Sequence, residues 1–230
     1  MGKTIEIAAH FAGVDVPLSP FLNERRIERI NAGRYEGTEI AGALKVVRKG
    51  DKVLELGAGL GVVGAVVSKN CAPKKVISYE ANPALIPHIR ALYAHNKFGK
   101  KHEVINEVLI SAPDRPASLP FVIKNSFLGS SLNADYRRAK EVVDVPTRDF
   151  NAVMAEFGPD VLLMDIEGGE LDVLEHADLS GVRAIVIEFH PGSYDIAGMK
   201  RCKNILREAG FVRDDEVSTR VVWAAVRTQD

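Results

Sequence analysis

The chain has 230 residues, 46% of them hydrophobic, with 30 Lys plus Arg set against 31 Asp plus Glu. That size and apolar content suit one α/β domain with a modest extra segment. The balanced charge, without a basic run, argues against a nucleic-acid partner, and no apolar stretch approaches the ~18 residues of a membrane span. Cys71 and Cys202 have no metal-ligand spacing and are too few for a disulfide framework. The N-terminus lacks a signal-peptide core, and Glu6 stands where a myristoylation site needs Ser or Thr. The expectation is a soluble, cytoplasmic enzyme.

Residues 1–22 are apolar but punctuated by Gly13, Pro17 and Pro20, and read as an arm lying on the domain. From 23 to 48 the pattern is helical. Ile40, Ala43, Leu44 and Val47 share a face, basic residues crowd the last turn and Gly50 stops it. Strand and helix then alternate: strand 53–56, helix 62–69, strand 76–79, a helix opening at Asn82-Pro83, and a third strand 104–110. Asn as cap and Pro at the first helical position make that opening a standard start. Such alternation implies a parallel sheet covered by helices on both faces.

Between 111 and 159 the rhythm breaks into prolines, a short apolar run from Phe121, a Gly-Ser-Ser turn and a strand-like run at 142–145. Connections that long in a compact domain are usually functional, so this insertion is the candidate substrate platform. Order returns with strands 160–165 and 182–188, a helix 199–209 stopped by Gly210, and a closing pair at 211–216 and 221–227. The expected fold is α/β: a seven-stranded, mostly parallel Rossmann-like sheet with helices on both faces and an antiparallel last strand. One domain spans 1–230, with an arm and helix over 1–50.

The chemistry-bearing stretch is Glu55-Leu-Gly-Ala-Gly-Leu-Gly61, where an apolar strand breaks into a glycine turn before an apolar helix. Glycines let the backbone approach a ligand, and the N–H groups of the helix start point into the gap. Glu80 ends the second strand 23 residues after Gly57, near the ~20-residue spacing at which an acid meets a nucleotide ribose. A dinucleotide fingerprint places its third glycine three residues after the second. Here it arrives after two, and Val62 holds the other position. Glu55, inside the strand, would serve a pyrophosphate poorly but could pair with the ammonium of S-adenosylmethionine. That cofactor fits better than NAD. Gly57, Ala58, Gly59 and Gly61 form its expected turn, and Glu80 with Ala81 its ribose side. Asn106 and Glu107, at the third strand end, are candidates for the adenine edge or a solvated polar pair.

The chain resembles the class I S-adenosylmethionine-dependent methyltransferases, through Glu55–Gly61 and Tyr79-Glu-Ala-Asn-Pro83. Within them it is similar to the FkbM family, through Asp165-Ile-Glu-Gly-Gly-Glu170, Ile187-Glu-Phe-His-Pro191, Arg34-Tyr-Glu36 and Gly129-Ser-Ser-Leu132. Glu55 and Leu60 depart from the Asp and Asn that family members often carry. The resemblance implies O-methylation of a hydroxyl on a sugar or secondary metabolite, without a metal.

Asp165 and Glu167 end the fourth strand, where ligands of open parallel sheets sit. They read as site acids beside the sulfonium, or as acids favouring the start of the next helix. His190 follows the fifth strand at the same sheet end. A neutral imidazole there could take the acceptor's proton, or the ring could simply hold its loop. His88, His95 and His102 read as a solvated stripe. Three other functions compete: an NAD-dependent oxidoreductase, disfavoured by the glycine spacing; a non-catalytic cofactor-binding module; and a metal-dependent methyltransferase, for which no third ligand beside Asp165 and Glu167 is evident.

Overall fold

The structure, a computed structural model, describes residues 5–123 and 141–228. The Gly129–Leu132 motif therefore lies outside the described residues. The chain opens with an antiparallel hairpin, β1 (Ile7–Phe11) and β2 (Val14–Pro17). Two helices follow, α1 (Glu24–Asn31) and α2 (Gly37–Val46), rather than the single helix expected over 23–48. The interruption is local: Gly33 and Glu36 both take positive φ, at 66° and 47°, which ends one helix and re-aims the chain into the next.

The alternating section comprises β3 (Lys52–Leu56), α3 (Val62–Cys71), β4 (Lys75–Tyr79), α4 (Ile86–His95) and β5 (His102–Ile105). Asn82 does not cap α4. Its Oδ1 accepts the Ala84 N–H in a tight turn, and the helix begins four residues later with Pro87 in its first turn. The single strand expected at 104–110 divides into β5 and β6 (Val108–Ile110), with Asn106 and Glu107 at the break. β6 joins β7 (Ser118–Ile123) and β8 (Glu141–Asp149) in a separate three-stranded sheet ordered β6-β8-β7. The insertion is thus shorter than expected. Residues from Phe150 return to the main fold as α5 (Phe150–Phe157), capped by Asp149, whose side chain accepts the Ala152 N–H.

β9 (Val161–Met164), α6 (Glu170–Leu174), β10 (Ala184–Glu188), α7 (Pro191–Glu208), β11 (Phe211–Arg213) and β12 (Val222–Arg227) complete the chain. The seven-stranded sheet is ordered β11-β12-β10-β9-β3-β4-β5. Its strands run parallel except β12, which pairs antiparallel with both neighbours. The expected architecture is the observed one.

Strand periodicity divides the core. Leu54 and Leu56 of β3 face α5 and α7 with Phe150, Met154 and Leu206, while Val53 faces α2 and α3 with Ala43 and Val67. The hairpin covers α3 and α4, where Ala9, Val14 and Val16 pack with Leu85, Ile89 and Leu92. Burying each such leucine or isoleucine stabilises the fold by about 1.5–3 kcal/mol. Asn96 fastens the arm by donating to Asp15 O at 2.8 Å and accepting from Asp15 N at 3.0 Å.

Candidate active site

The chain runs outward from β3 through β4 to β5, then crosses to β9 and β10 on the other side of β3. That reversal makes a switch point, and ligands of open α/β sheets bind outside the strand ends there. A cavity of about 350 Å³ opens at this place. The ends of β3 and β4 form one wall, with Gly57, Gly59, Glu80, Ala81 and Asn82. Leu109, Leu119 and Phe121 of the side sheet form a second. Asp165, Glu167 and Asp172 form a third, and Tyr35 with Glu36 closes the rim.

The turn glycines have different reasons to be glycine. A Cβ on Gly57 would lie 1.6 Å from the Asp165 carbonyl oxygen, so this residue lets two strand ends cross. Gly59 has a φ of 55°, and a Cβ there would enter open cavity, with only the Tyr35 hydroxyl within 3.8 Å. Gly59 is therefore the turn residue that leaves the backbone open to the cavity. Gly61 starts α3 and Ala58 lines a smaller crevice; neither reaches the main cavity wall.

Glu80 lies on the cavity wall and is almost fully buried. Its Oε2 accepts the Gly59 N–H at 2.8 Å and its Oε1 the Asn82 N–H at 2.7 Å. Burial raises its pKa to about 7 against the pull of those backbone donors. Asn106, a candidate for the adenine edge, does not line the cavity. Its Nδ2 donates to the carbonyls of Glu80 and Ala81, at 2.8 and 3.0 Å, and so ties β5 to the loop after β4. Glu107 does line the cavity, and its buried Oε2 has no hydrogen-bond partner among the described residues.

Glu55 needs a correction. Strand alternation puts it on the same face as Val53, under α3, where it accepts a hydrogen bond from Ser78 Oγ. Its carboxyl lines only a crevice of about 40 Å³, and burial holds its pKa at about 7. His102 belongs to the same buried network, 3.3 Å from Ser78 Oγ and stacked on Tyr93. Burial lowers its pKa to about 3. Of the expected solvated stripe, His88 and His95 are half-buried: His88 meets Phe21 edge-on, and His95 lies 3.5 Å from Asp15.

Acids converge on the third wall. Burial, then the charges of Glu36 and Glu167, push Asp165 well above the usual carboxylate range. Burial and Glu39 raise Glu36 to about 7, and burial likewise raises Glu188. Glu36 and Glu167 both hold positive φ, at 47° and 55°, an unfavourable backbone state for a side chain of this kind that concentrates at functional sites. His190 does not line the cavity and stands behind these acids, its Nε2 3.6 Å from both Asp165 Oδ1 and Glu167 Oε2. Its Nδ1 is 3.0 Å from Oε1 of the fully buried Glu170.

Ligand atoms of Glu36, Asp165 and Glu188 come within 4.8 Å of one another, as do those of Asp165, Glu170 and His190. Asp165 is common to both groups, and Glu167 belongs to neither. Sequence reasoning gave no site role to Tyr35, Glu36 or Glu170, which were visible only inside family motifs, and Asn82 read as a helix cap.

Residues 55–213 match the methyltransferase FkbM domain. No curated protein matches the sequence significantly. Among solved structures, a TehB-like S-adenosylmethionine-dependent methyltransferase from Corynebacterium glutamicum aligns with TM-score 0.48 and 14% identity, over 90% of this chain and 95% of that one. A precorrin-6y methyltransferase from Geobacter metallireducens aligns with TM-score 0.47 and 12% identity, over 84% and 88%. The fibrillarin pre-rRNA processing protein of Methanococcus jannaschii aligns with TM-score 0.46 and 14% identity, over 78% and 67%. The family match covers more than half of the sequence and spans the glycine turn, Glu80, the Asp165–Glu170 segment and His190: the chain belongs to the FkbM methyltransferase family.

Proposed function

We propose that this methyltransferase transfers the methyl group of S-adenosylmethionine to a hydroxyl of a sugar or secondary-metabolite small molecule. One observation supports the cofactor assignment above the others. The cavity wall carries buried acceptors, Glu80, Glu107 Oε2 and Asp165 Oδ1, the last two without a hydrogen-bond partner among the described residues. The cofactor is rich in donors, with two ribose hydroxyls, an adenine amino group and an ammonium. Buried acceptors left alone are costly, and a donor-rich ligand satisfies them.

When bound, S-adenosylmethionine supplies a methyl group on a sulfonium. Glu80 would hold the ribose hydroxyls, Glu107 the adenine amino group, and Gly59 would leave room for close backbone approach. The apolar side chains of the side sheet would seat the acceptor and exclude water. Transfer would break the carbon–sulfur bond, its electron pair staying with sulfur, and form one bond from that carbon to the acceptor oxygen, whose proton would pass to Asp165 or Glu167, the acids that line the cavity. His190 acts behind them.

Transfer proceeds without a metal in this reading. The convergence of Glu36, Asp165 and Glu188 is the observation favouring the alternative, a divalent cation held by hard oxygen ligands. Screening hydroxylated acceptors with labelled S-adenosylmethionine, with and without EDTA, tests both points. Labelled product from hydroxyl acceptors in EDTA supports the proposal. Transfer to amines alone, or activity abolished by EDTA and restored by Mg²⁺, overturns it. No helix among the described residues is long and apolar enough to cross a membrane.

A further inference from the structure

One carboxylate connects the two loops that carry the candidate catalytic groups. Glu170 is completely buried at the start of α6. Its Oε1 accepts the N–H groups of Gly168 at 3.1 Å and Ile166 at 3.3 Å, both in the turn that presents Asp165 and Glu167. The same oxygen meets His190 Nδ1 at 3.0 Å, from the loop after β10. An ionised carboxylate cannot donate, so a neutral imidazole paired with Glu170 carries its proton on Nδ1 and turns the Nε2 lone pair toward Asp165 and Glu167. The His190 N–H donates to the Tyr194 hydroxyl at 2.7 Å and fixes the loop from the other side.

We propose that Glu170 is the positioning residue of this site, setting through one oxygen both the 165–169 turn and the tautomer and orientation of His190, whose Nε2 then serves the Asp165–Glu167 pair. This rests on the methyltransferase reading given above. Two carboxylates that face a cavity among other acids resist ionising together. With Nδ1 held by Glu170, the Nε2 lone pair lies 3.6 Å from each and can take a proton from one of them, leaving that acid ionised for the acceptor's proton. The groups facing His190 are Glu170, Glu167, Asp165, Glu188 and Tyr194, with Glu36 and Glu39 beyond them toward Asp165 and Glu188. Burial alone would make the imidazolium harder to form, but the hydrogen bond and charge of Glu170, with Glu167 and Glu188, outweigh it and raise the His190 pKa.

The test combines nitrogen-15 NMR of the imidazoles with kinetics of Glu170→Gln and Glu170→Ala. In the wild-type protein without cofactor, neutral His190 should carry its proton on Nδ1. Glu170→Gln keeps an accepting oxygen and loses the charge, so kcat should fall about 10-fold with KM for the cofactor nearly unchanged. Glu170→Ala should lose the tautomer preference and fall further, the amide variant being the partial rescue. Loss of activity through unfolding alone would follow the melted fraction and leave the tautomer of the folded molecules untouched. A proton on Nε2 in the wild type overturns the proposal even if neither variant folds. So does a folded Glu170→Ala enzyme with kcat within about threefold of the parent, far below the contribution of such a group. If no hydroxyl acceptor is ever methylated, the functional reading fails while the wild-type tautomer still decides the role of Glu170.

Discussion

Replacing Glu80 with Ala probes the cofactor site most directly. Each Glu80 oxygen already accepts one backbone N–H, from Gly59 or Asn82. A carboxylate oxygen has two lone-pair sites, so one on each oxygen remains for a ribose hydroxyl. Hydrogen bonds to a charged group contribute about 1.5–3 kcal/mol each. Water entering the truncated site replaces part of both, and the expected loss is about 2–3 kcal/mol, or roughly 30–150-fold in Kd for S-adenosylhomocysteine. The variant also leaves the Gly59 and Asn82 amides without their acceptor, so its melting temperature must be measured alongside. Isothermal calorimetry at pH 8, where a group with pKa about 7 is mostly ionised, gives the cleanest comparison. Glu80→Gln should fall between the two, since its NH₂ opposes one of the backbone donors. Unchanged affinity in a folded Glu80→Ala protein would remove Glu80 from the site and with it the ribose assignment.

Gly59→Val should abolish cofactor binding, because the added side chain enters the cavity, and should also lower Tm, because a β-branched residue is strained at a φ of 55°; a thermal-shift gain on adding cofactor to the folded variant would refute this placement. His190→Ala should lower kcat by at least about 10-fold while leaving calorimetric affinity for S-adenosylhomocysteine unchanged; normal turnover in a variant that melts normally would exclude the residue. Stability without cofactor should depend on pH with a definite sign. Glu36, Glu55 and Glu80 are raised to about 7, so their contribution is complete below the unfolded carboxylate pKa and lost as pH rises through about 7. His102, lowered to about 3, works oppositely, its contribution being lost as pH falls below the ordinary histidine value. Three acids outweigh one imidazole, so Tm should be higher at about pH 5.5 than at about pH 8. Glu55→Gln should flatten that difference, and a Tm that rises toward pH 8 would contradict the assignment.

The local parts of the site were legible because each rests on a short stretch of sequence. Glycine spacing and a strand–turn–helix pattern placed Gly57, Gly59 and Glu80 at the switch point before any coordinates. Glu55 was misplaced although period-2 alternation already put it beside Val53, on the helix-covered face; proximity in sequence to the glycines obscured that. Asn106 read as a ligand group because a strand-end amide looks the same whether it faces a cavity or ties down a neighbouring loop. The interrupted helix at 32–36, which brings Tyr35 and Glu36 to the rim, carries only one glycine as a local signal. Glu170 and His190 meet across 20 residues of sequence, through the packing of α6 against the loop after β10, and no local pattern encodes that meeting.

The side sheet has a consequence for how this enzyme can change. Among the described residues, β6, β7 and β8 pair only with one another and supply none of the strands of the seven-stranded sheet. Leu119 and Phe121 reach the cavity from it, whereas Gly59 and Glu80 reach the cavity from the main sheet. The two walls of the cavity are therefore inherited on separate scaffolds. Substitutions or length changes in the side sheet can remodel its wall without breaking a backbone hydrogen bond of the main sheet. A lineage can in this way change what that wall accommodates while the wall carrying Gly59 and Glu80 stays fixed.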